Sequence, residues 1–347
     1  VFGLLERVKH RMASTRIVRR KKRKNKKKFR LLLFFILFFG TAIGYSAYEF
    51  NVGARGNDDD INSEVPEVEE PEFKGSENEF GKTNILLLGT DTTSAKGGRT
   101  DTIMIAQYDP ENGTAKLASI MRDSYVSIPG YGYNKMNTAY VFGGAELVRQ
   151  TIKENFNIDV QYYALVNFDG FTEIVDELAP KGIDIDVEKS MNYVDRAGGL
   201  YIDLQEGQQK LDGEQLLHYA RFRHDSESDF GRVRRQQQVI EAVKDELISV
   251  KGVLKLPRML GMIQPYLKTD ISEVEMLGLG KDFLLNTPDN IETLRIPIDG
   301  TYSNSYYEHA GSVLALDESE NRQALDEFFN SDNTQTAIND AEDEPNS

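Results

Sequence analysis

Apolar residues along the chain fall into three kinds of run, and each predicts a different element. The first is unbroken. Residues 31–48, LLLFFILFFGTAIGYSAY, carry no charge, and at roughly 1.5 Å per residue they reach about 27 Å, close to the hydrocarbon thickness of a bilayer. A transmembrane helix over 31–50 is therefore expected, longer than a signal-peptide core and without a good cleavage site. The second kind is short and apolar between polar breaks: NILLLG (84–89), DTIMIAQY (101–108), TAKLASIM (114–121), YYALVN (162–167), GIDIDV (182–187) and IETLRIP (291–297) read as strands. The third has helical spacing: 145–156, 171–178, 213–221, 230–250 and parts of 252–285. The expected architecture is α/β, one mixed-sheet domain over 81–330 with helices on both faces, preceded by the single transmembrane helix.

Charge is distributed in blocks that the net value of -15 conceals. Residues 1–30 hold 14 Lys/Arg and one acid, whereas 51–80 hold two Lys/Arg and ten acids. By the positive-inside rule the basic head (1–30) is cytoplasmic and the body extracellular, on a single-pass anchor in the cell membrane. Anionic lipid head groups account for the basic run beside a span, so no nucleic-acid partner is expected. Segment 51–80 is too acidic and too poor in apolar residues to order itself and reads as a disordered stalk; 331–347, with five acids and no base, reads as a disordered tail.

The chain has no Cys and four His. That excludes disulfides, thiolate metal sites and a Cys nucleophile, and it directs metal chemistry toward oxygen ligands. No phosphate-loop, G-x-S-x-G or H-E-x-x-H motif is present.

Candidate chemistry comes from geometry. The turn Asp109-Pro110-Glu111-Asn112-Gly113 folds strand 114–121 back on 101–108. If 101–108 also runs against 84–89, the three form a meander whose one edge gathers Asp91, Arg99 with Asp101, and Arg122 with Asp123. Carboxylates among guanidiniums suit a hard cation such as Mg²⁺, completed by substrate phosphates; the alternative is a surface ion-pair network. A second cluster opens the helix from about 230. There Arg232 and Gln236 share the apolar stripe of Val239, Ile240, Val243 and Leu247, Arg234 points away, and Arg235 is intermediate. With Arg221 and Arg223 this makes five Arg in fifteen residues, disfavoured at a helix N-terminus unless an anion compensates. A pyrophosphate would serve, and so would Asp225, Glu227 and Asp229 from within. Asp229 is also placed to cap the helix.

These segments resemble the LytR-CpsA-Psr family of bacterial cell-wall glycopolymer transferases, through NILLLGTD, GRTDTIMI, ASIMRDSYVSIPG, NKMNTAYVFGG, YYALVNFDGF, GGLYIDLQEGQQKLDGEQLLHYARFRHD and DFGRVRRQQQVI, in that order from about Asn84 to Leu247. The resemblance implies transfer of a phospho-glycopolymer, such as wall teichoic acid, from an undecaprenyl-pyrophosphate carrier to a muramic acid hydroxyl of peptidoglycan. It implies Asp91 and Asp101 as ligands of Mg²⁺ or Mn²⁺. Arg99, Arg122, Arg221, Arg223, Arg232, Arg235, Gln236 and Lys135 become pyrophosphate contacts, with Arg122, Asp229 and Arg232 the catalytic set and Asp229 the candidate base. Segments 131–142 and 162–171 could wall a slot for the polyprenyl tail, with ordinary core packing the expected role of most of their aromatic residues. Rival readings are a membrane-bound transcriptional attenuator without catalysis and a lipid pyrophosphatase.

Overall fold

The computed structural model describes residues 71–76, 81–90, 100–195, 200–249 and 258–342. The basic head, the expected span, most of the stalk, Asp91 and Arg99 lie outside them. Among the described residues no helix is long and apolar enough to cross a membrane.

The expected meander forms. Strands β1 (Thr83–Thr90), β2 (Thr100–Asp109) and β3 (Thr114–Ile120) run antiparallel in turn, with Leu86 opposite Ile105 and Ile105 opposite Ala118. Helix α1 (Thr138–Phe156) leads to β6 (Tyr162–Asn167), which joins β1 in parallel. With β11 (Leu267–Thr269) and β12 (Ile291–Ile296) this gives a mixed six-stranded sheet in the order β11-β6-β1-β2-β3-β12. Strict alternation in β1 sends Leu86 and Leu88 into a core with Val148, Ile152 and Phe156 of α1 and Leu325 and Phe329 of the last helix, α6 (Glu318–Glu342). The opposite face, carrying Thr102 and Ser119, meets Gln236 and Gln237 of α4 (Ser228–Leu247). Helices thus cover both faces, as two-sided apolar strands require.

The single sheet of the sequence reading needs correction. A second sheet, β13-β14-β4-β5, is built from β4 (Ser124–Ile128), β5 (Gly132–Lys135), β13 (Tyr302–Tyr307) and β14 (Gly311–Leu316). Two further ladders pair β7 (Ile183–Val187) with β10 (Gly207–Leu211) and β8 (Met191–Asp195) with β9 (Leu200–Leu204). Sequences such as GYNK and YSNSYY leave one face to solvent and contain too few apolar positions to show a period.

Two boundaries also move. The end of the expected stalk, 71–76, is laid against the body: the Phe73 ring meets Tyr163 at 4.8 Å, Lys74 N donates to Glu146 Oε2 at 2.9 Å and Ser76 N to Val160 O at 2.9 Å. A Cβ on Gly75 would lie 1.8 Å from Gln161 O, so only glycine allows this approach. At the other end, α6 continues past residue 330 to Glu342, with no Pro or Gly to stop it.

A second core forms around α2 (Phe168–Leu178), α3 (Gly213–Arg221), β7 and β9, and it fixes where α3 delivers its Arg. Asp212 and Gln215 form a capping box at the start of α3, and Gly213 N donates to Asp176 Oδ1 of α2 at 2.7 Å. A Cβ at Gly213 would come 2.5 Å from Thr172 O, a backbone atom that cannot swing away. Gly213→Ala is expected to destabilise the domain by about 1–3 kcal/mol, as overpacking does; chemical denaturation measures it, and an unchanged midpoint would disprove the contact.

Candidate active site

Arg122 follows β3 at the sheet edge and is the hub of the site. Its Nη1 lies 2.6 Å from Asp101 Oδ1, at the start of β2, and its Nε lies 3.1 Å from Asp229 Oδ2 and 3.4 Å from Asp123 Oδ2. Lys135 Nζ holds the other oxygen of Asp123 at 2.7 Å. Burial opposes the charge on Arg122, but Asp101, then Asp229 and Asp123, hold its pKa above the ordinary value. The meander edge thus brings Asp101, Arg122 and Asp123 together as the turn chemistry implied, and α4 adds the second cluster to the same point.

Helix α4 contributes Asp229, Arg232 and Gln236. Asp229 lies inside the first turn rather than at the N-cap, which Glu227 occupies without a side-chain bond; Asp225 Oδ1 instead accepts from Ser228 N at 2.8 Å. Freed from capping, Asp229 Oδ2 takes Arg232 Nη2 at 3.2 Å as well as Arg122. One turn on, Gln236 Nε2 donates to Thr102 Oγ1 at 3.0 Å. The shared stripe of Arg232 and Gln236 read from the sequence is therefore the face turned to the sheet.

Arg232 is almost completely buried, and its Nε has no hydrogen-bond partner among the described residues. Burial, opposed by Asp229 and Asp101 and reinforced by the Arg122 and Arg223 guanidiniums, pulls its pKa below the ordinary value. A buried donor without a partner is costly, and an anion brought to it removes that cost.

The internal acids do compensate part of the arginine cluster. Arg234, pointing outward as expected, pairs with Glu227 at 2.6 Å and Glu188 at 2.8 Å. Arg235, grouped with the pyrophosphate contacts, is turned away from Arg122 and completely buried; it binds Glu188 Oε1 at 2.7 Å, Asp225 Oδ2 at 3.1 Å and the Phe222 carbonyl. Its helix is covered on two sides, so the intermediate position on the wheel is interior. Glu188 was missed, because it lies 47 residues from Arg235 and carries no local signal.

Two cavities flank this cluster. One, of about 480 Å³, is lined by Arg122, Asp123, Arg223 and Asp229, with the Tyr193 and His224 rings stacked 4.8 Å apart at its wall. The other, of about 220 Å³, is apolar; Leu87, Met104, Ala164, Val166, Phe171 and Val239 line it, together with Arg221 and Gln236. The Arg221 guanidinium sits 4.3 Å over the Phe168 ring. Residues of segment 162–171 thus line this slot, and among the described residues none of 131–142 does.

Fold and site define an α/β domain with a guanidinium-lined pocket beside an apolar slot. The chain belongs to the LytR_cpsA_psr family, whose model matches residues 47–325. It is 41% identical over 266 residues to the regulatory protein MsrR of Staphylococcus aureus (strain COL), an alignment covering 77% of this chain and 80% of that one. It is 32% identical over 268 residues to the polyisoprenyl-teichoic acid–peptidoglycan teichoic acid transferase TagV of Bacillus subtilis (strain 168), covering 73% of this chain and 64% of TagV. Among solved structures, B. subtilis TagV superposes with a TM-score of 0.59 at 29% identity, over 71% of this chain and 96% of that one. TagT bound to LI-WTA gives 0.57 at 28% identity, over 75% and 94%.

Proposed function

We propose that the protein transfers a phospho-glycopolymer, of the wall teichoic acid kind, from an undecaprenyl-pyrophosphate carrier to a muramic acid hydroxyl of peptidoglycan. The observation that carries this reading is the pair of half-buried Arg122 and buried Arg232, whose Nε has no partner among the described residues, beside an apolar slot. A pyrophosphate fits the first and a polyprenyl tail the second. The name of TagV and the ligand of TagT support the substrate class.

In the reaction the acceptor oxygen bonds to the glycan-bearing phosphorus while the bond from that phosphorus to the bridging oxygen breaks, and polyprenyl phosphate leaves. Arg122, Arg232, Arg223 and Arg221 neutralise the charge that develops on the leaving phosphate. Asp101 and Asp229 hold the guanidiniums of Arg122 and Arg232 in place. The acceptor proton passes to Asp229 through Oδ1, since Oδ2 is held by both guanidiniums. Asp101, whose carboxylate is about one-third exposed with one oxygen on Arg122, has an oxygen donor of the kind Mg²⁺ or Mn²⁺ prefers, and together with Asp91 it would hold such an ion. When bound, such an ion would neutralise phosphate oxygens. Anchored by 31–50, the body would work outside the cell membrane.

The test is to mix the purified full chain in detergent with a lipid-pyrophosphate glycan and peptidoglycan, with and without a chelator. Polymer linked to peptidoglycan, lost on chelation, is the expected result. Release of free phosphate species without linkage would establish the pyrophosphatase instead. The name of MsrR favours a second reading, a regulator; no linkage and no hydrolysis would leave that reading in place.

The slot makes its own prediction. Ala164→Phe places a ring in a cavity of about 220 Å³. Transfer from an undecaprenyl donor should fall about tenfold or more, while a donor with a short prenyl chain is used as before. Equal loss with both would mean that the slot does not take the tail.

A further inference from the structure

The second sheet turns a row of rings to solvent that the transfer reading does not use. In register, Tyr125 of β4 stands opposite Lys135 of β5 and Ala315 of β14, and Tyr307 of β13 stands opposite Gly311. Tyr125 and Tyr307 stack at 4.4 Å with planes 11° apart, Tyr133 follows Tyr125 at 5.5 Å, and His309 lies 5.9 Å from Tyr307. Tyr133 and Tyr307 are 46% and 38% exposed. A contiguous exposed aromatic patch on a folded domain marks a binding surface.

The rings are fixed before any ligand arrives. Tyr133 Oη donates to Glu318 Oε1 at 2.9 Å, and His309 Nε2 shares hydrogen bonds with Tyr125 Oη at 3.3 Å and the Tyr133 carbonyl at 3.1 Å. Little entropy remains to be lost on docking. The row also runs into the active site. Lys135, beside Tyr125, binds Asp123, and Asp123 contacts Arg122 at 3.4 Å.

We infer that the row Tyr133, Tyr125, Tyr307 and His309 binds the acceptor, a β-linked hexosamine glycan strand, and leads it along β4 and β5 to Arg122. Pyranose rings present apolar C–H faces edged by hydroxyls, which match aromatic rings edged by the hydrogen-bonding groups of Ser127, opposite Tyr133 on the same face, and His309. The charges around the row decide between occupants. Glu154, held by Ser127 Oγ at 2.6 Å, and Glu318, held by Tyr133, set two carboxylates beside the row. They repel an anionic donor polymer and anionic lipid head groups, and they leave a glycan strand with amide side groups unopposed. This assignment rests on the transferase reading for its acceptor, and the experiment separates the two.

Full-length protein is titrated by calorimetry with a β-linked N-acetylglucosamine tetramer, and acceptor and donor KM are measured in the transfer assay. Tyr307→Ala and Tyr133→Ala should each weaken tetramer binding and raise the acceptor KM about tenfold, with donor KM and turnover at saturating acceptor unchanged. Tyr307→Phe, which keeps the ring, should match the wild type. No heat with the wild type, wild-type binding by both alanine variants, or a shift in donor KM alone overturns the proposal. So does a change of oligomeric state in Tyr307→Ala, which would make the row a contact between copies. If the wild type binds the tetramer through these tyrosines but transfers nothing, the glycan surface stands and the transferase reading fails.

Discussion

Arg122→Ala is expected to abolish measurable transfer while leaving the domain folded. One preorganised donor to developing charge contributes about 2.7–4 kcal/mol, roughly 10² to 10³ in rate, and Arg122 does more than donate. Its Nη1 and Nε hold Asp101 and Asp229, and Asp229 in turn orients Arg232. Without Arg122, the three acids at the sheet edge lose the guanidinium that links them and face the incoming phosphates with less positive charge to balance them. Arg122→Lys keeps the charge but cannot span both carboxylates, so it should recover only part of the rate. Single-turnover assays with a radiolabelled glycan would measure both, and circular dichroism would check the fold. Near-wild-type turnover in Arg122→Ala would reject the site.

The largest loss of stability is expected at Arg235, not at any apolar core position. Its side chain is completely buried, bonded to Glu188, Asp225 and the Phe222 carbonyl, and lies against the Phe222 ring at 5.3 Å. Removing one partner of a buried ion pair costs about 3–5 kcal/mol, because the acids are left without their counter-charge. For a domain of this size that is a fall in Tm of roughly 6–20 °C. Arg235→Ala should therefore lose activity through unfolding, with normal kinetics in whatever fraction remains folded at low temperature. A variant that is fully folded at growth temperature yet inactive would return Arg235 to the substrate-binding set.

These two arginines show how far the sequence could be read. Arg122 was legible because two apolar strands and an unmistakable turn dictate an antiparallel meander, and an antiparallel meander dictates which strand ends meet. Arg232 and Gln236 were legible because helical periodicity is local. Arg235 was not. Its place depends on Glu188 and Phe222 arriving from other elements to bury the second side of α4, and nothing within a few residues of it records that event. The second sheet escaped for a related reason: a strand with one wet face and few aliphatic residues, such as YSNSYY, is defined by its partners rather than by its own pattern. Asp229 looked like a cap, since acids at helix starts usually are, but two guanidiniums outbid the free amides of the first turn.

The strap at 71–76 has a mechanical consequence. It meets the body at Val160 and Tyr163, beside the beginnings of β1 and β6, whereas Arg122 stands where β1 ends. Tension or torque applied from upstream thus enters at the pole opposite the reacting groups. Splicing extra residues ahead of position 71 should therefore leave the intrinsic chemistry of the body as it was.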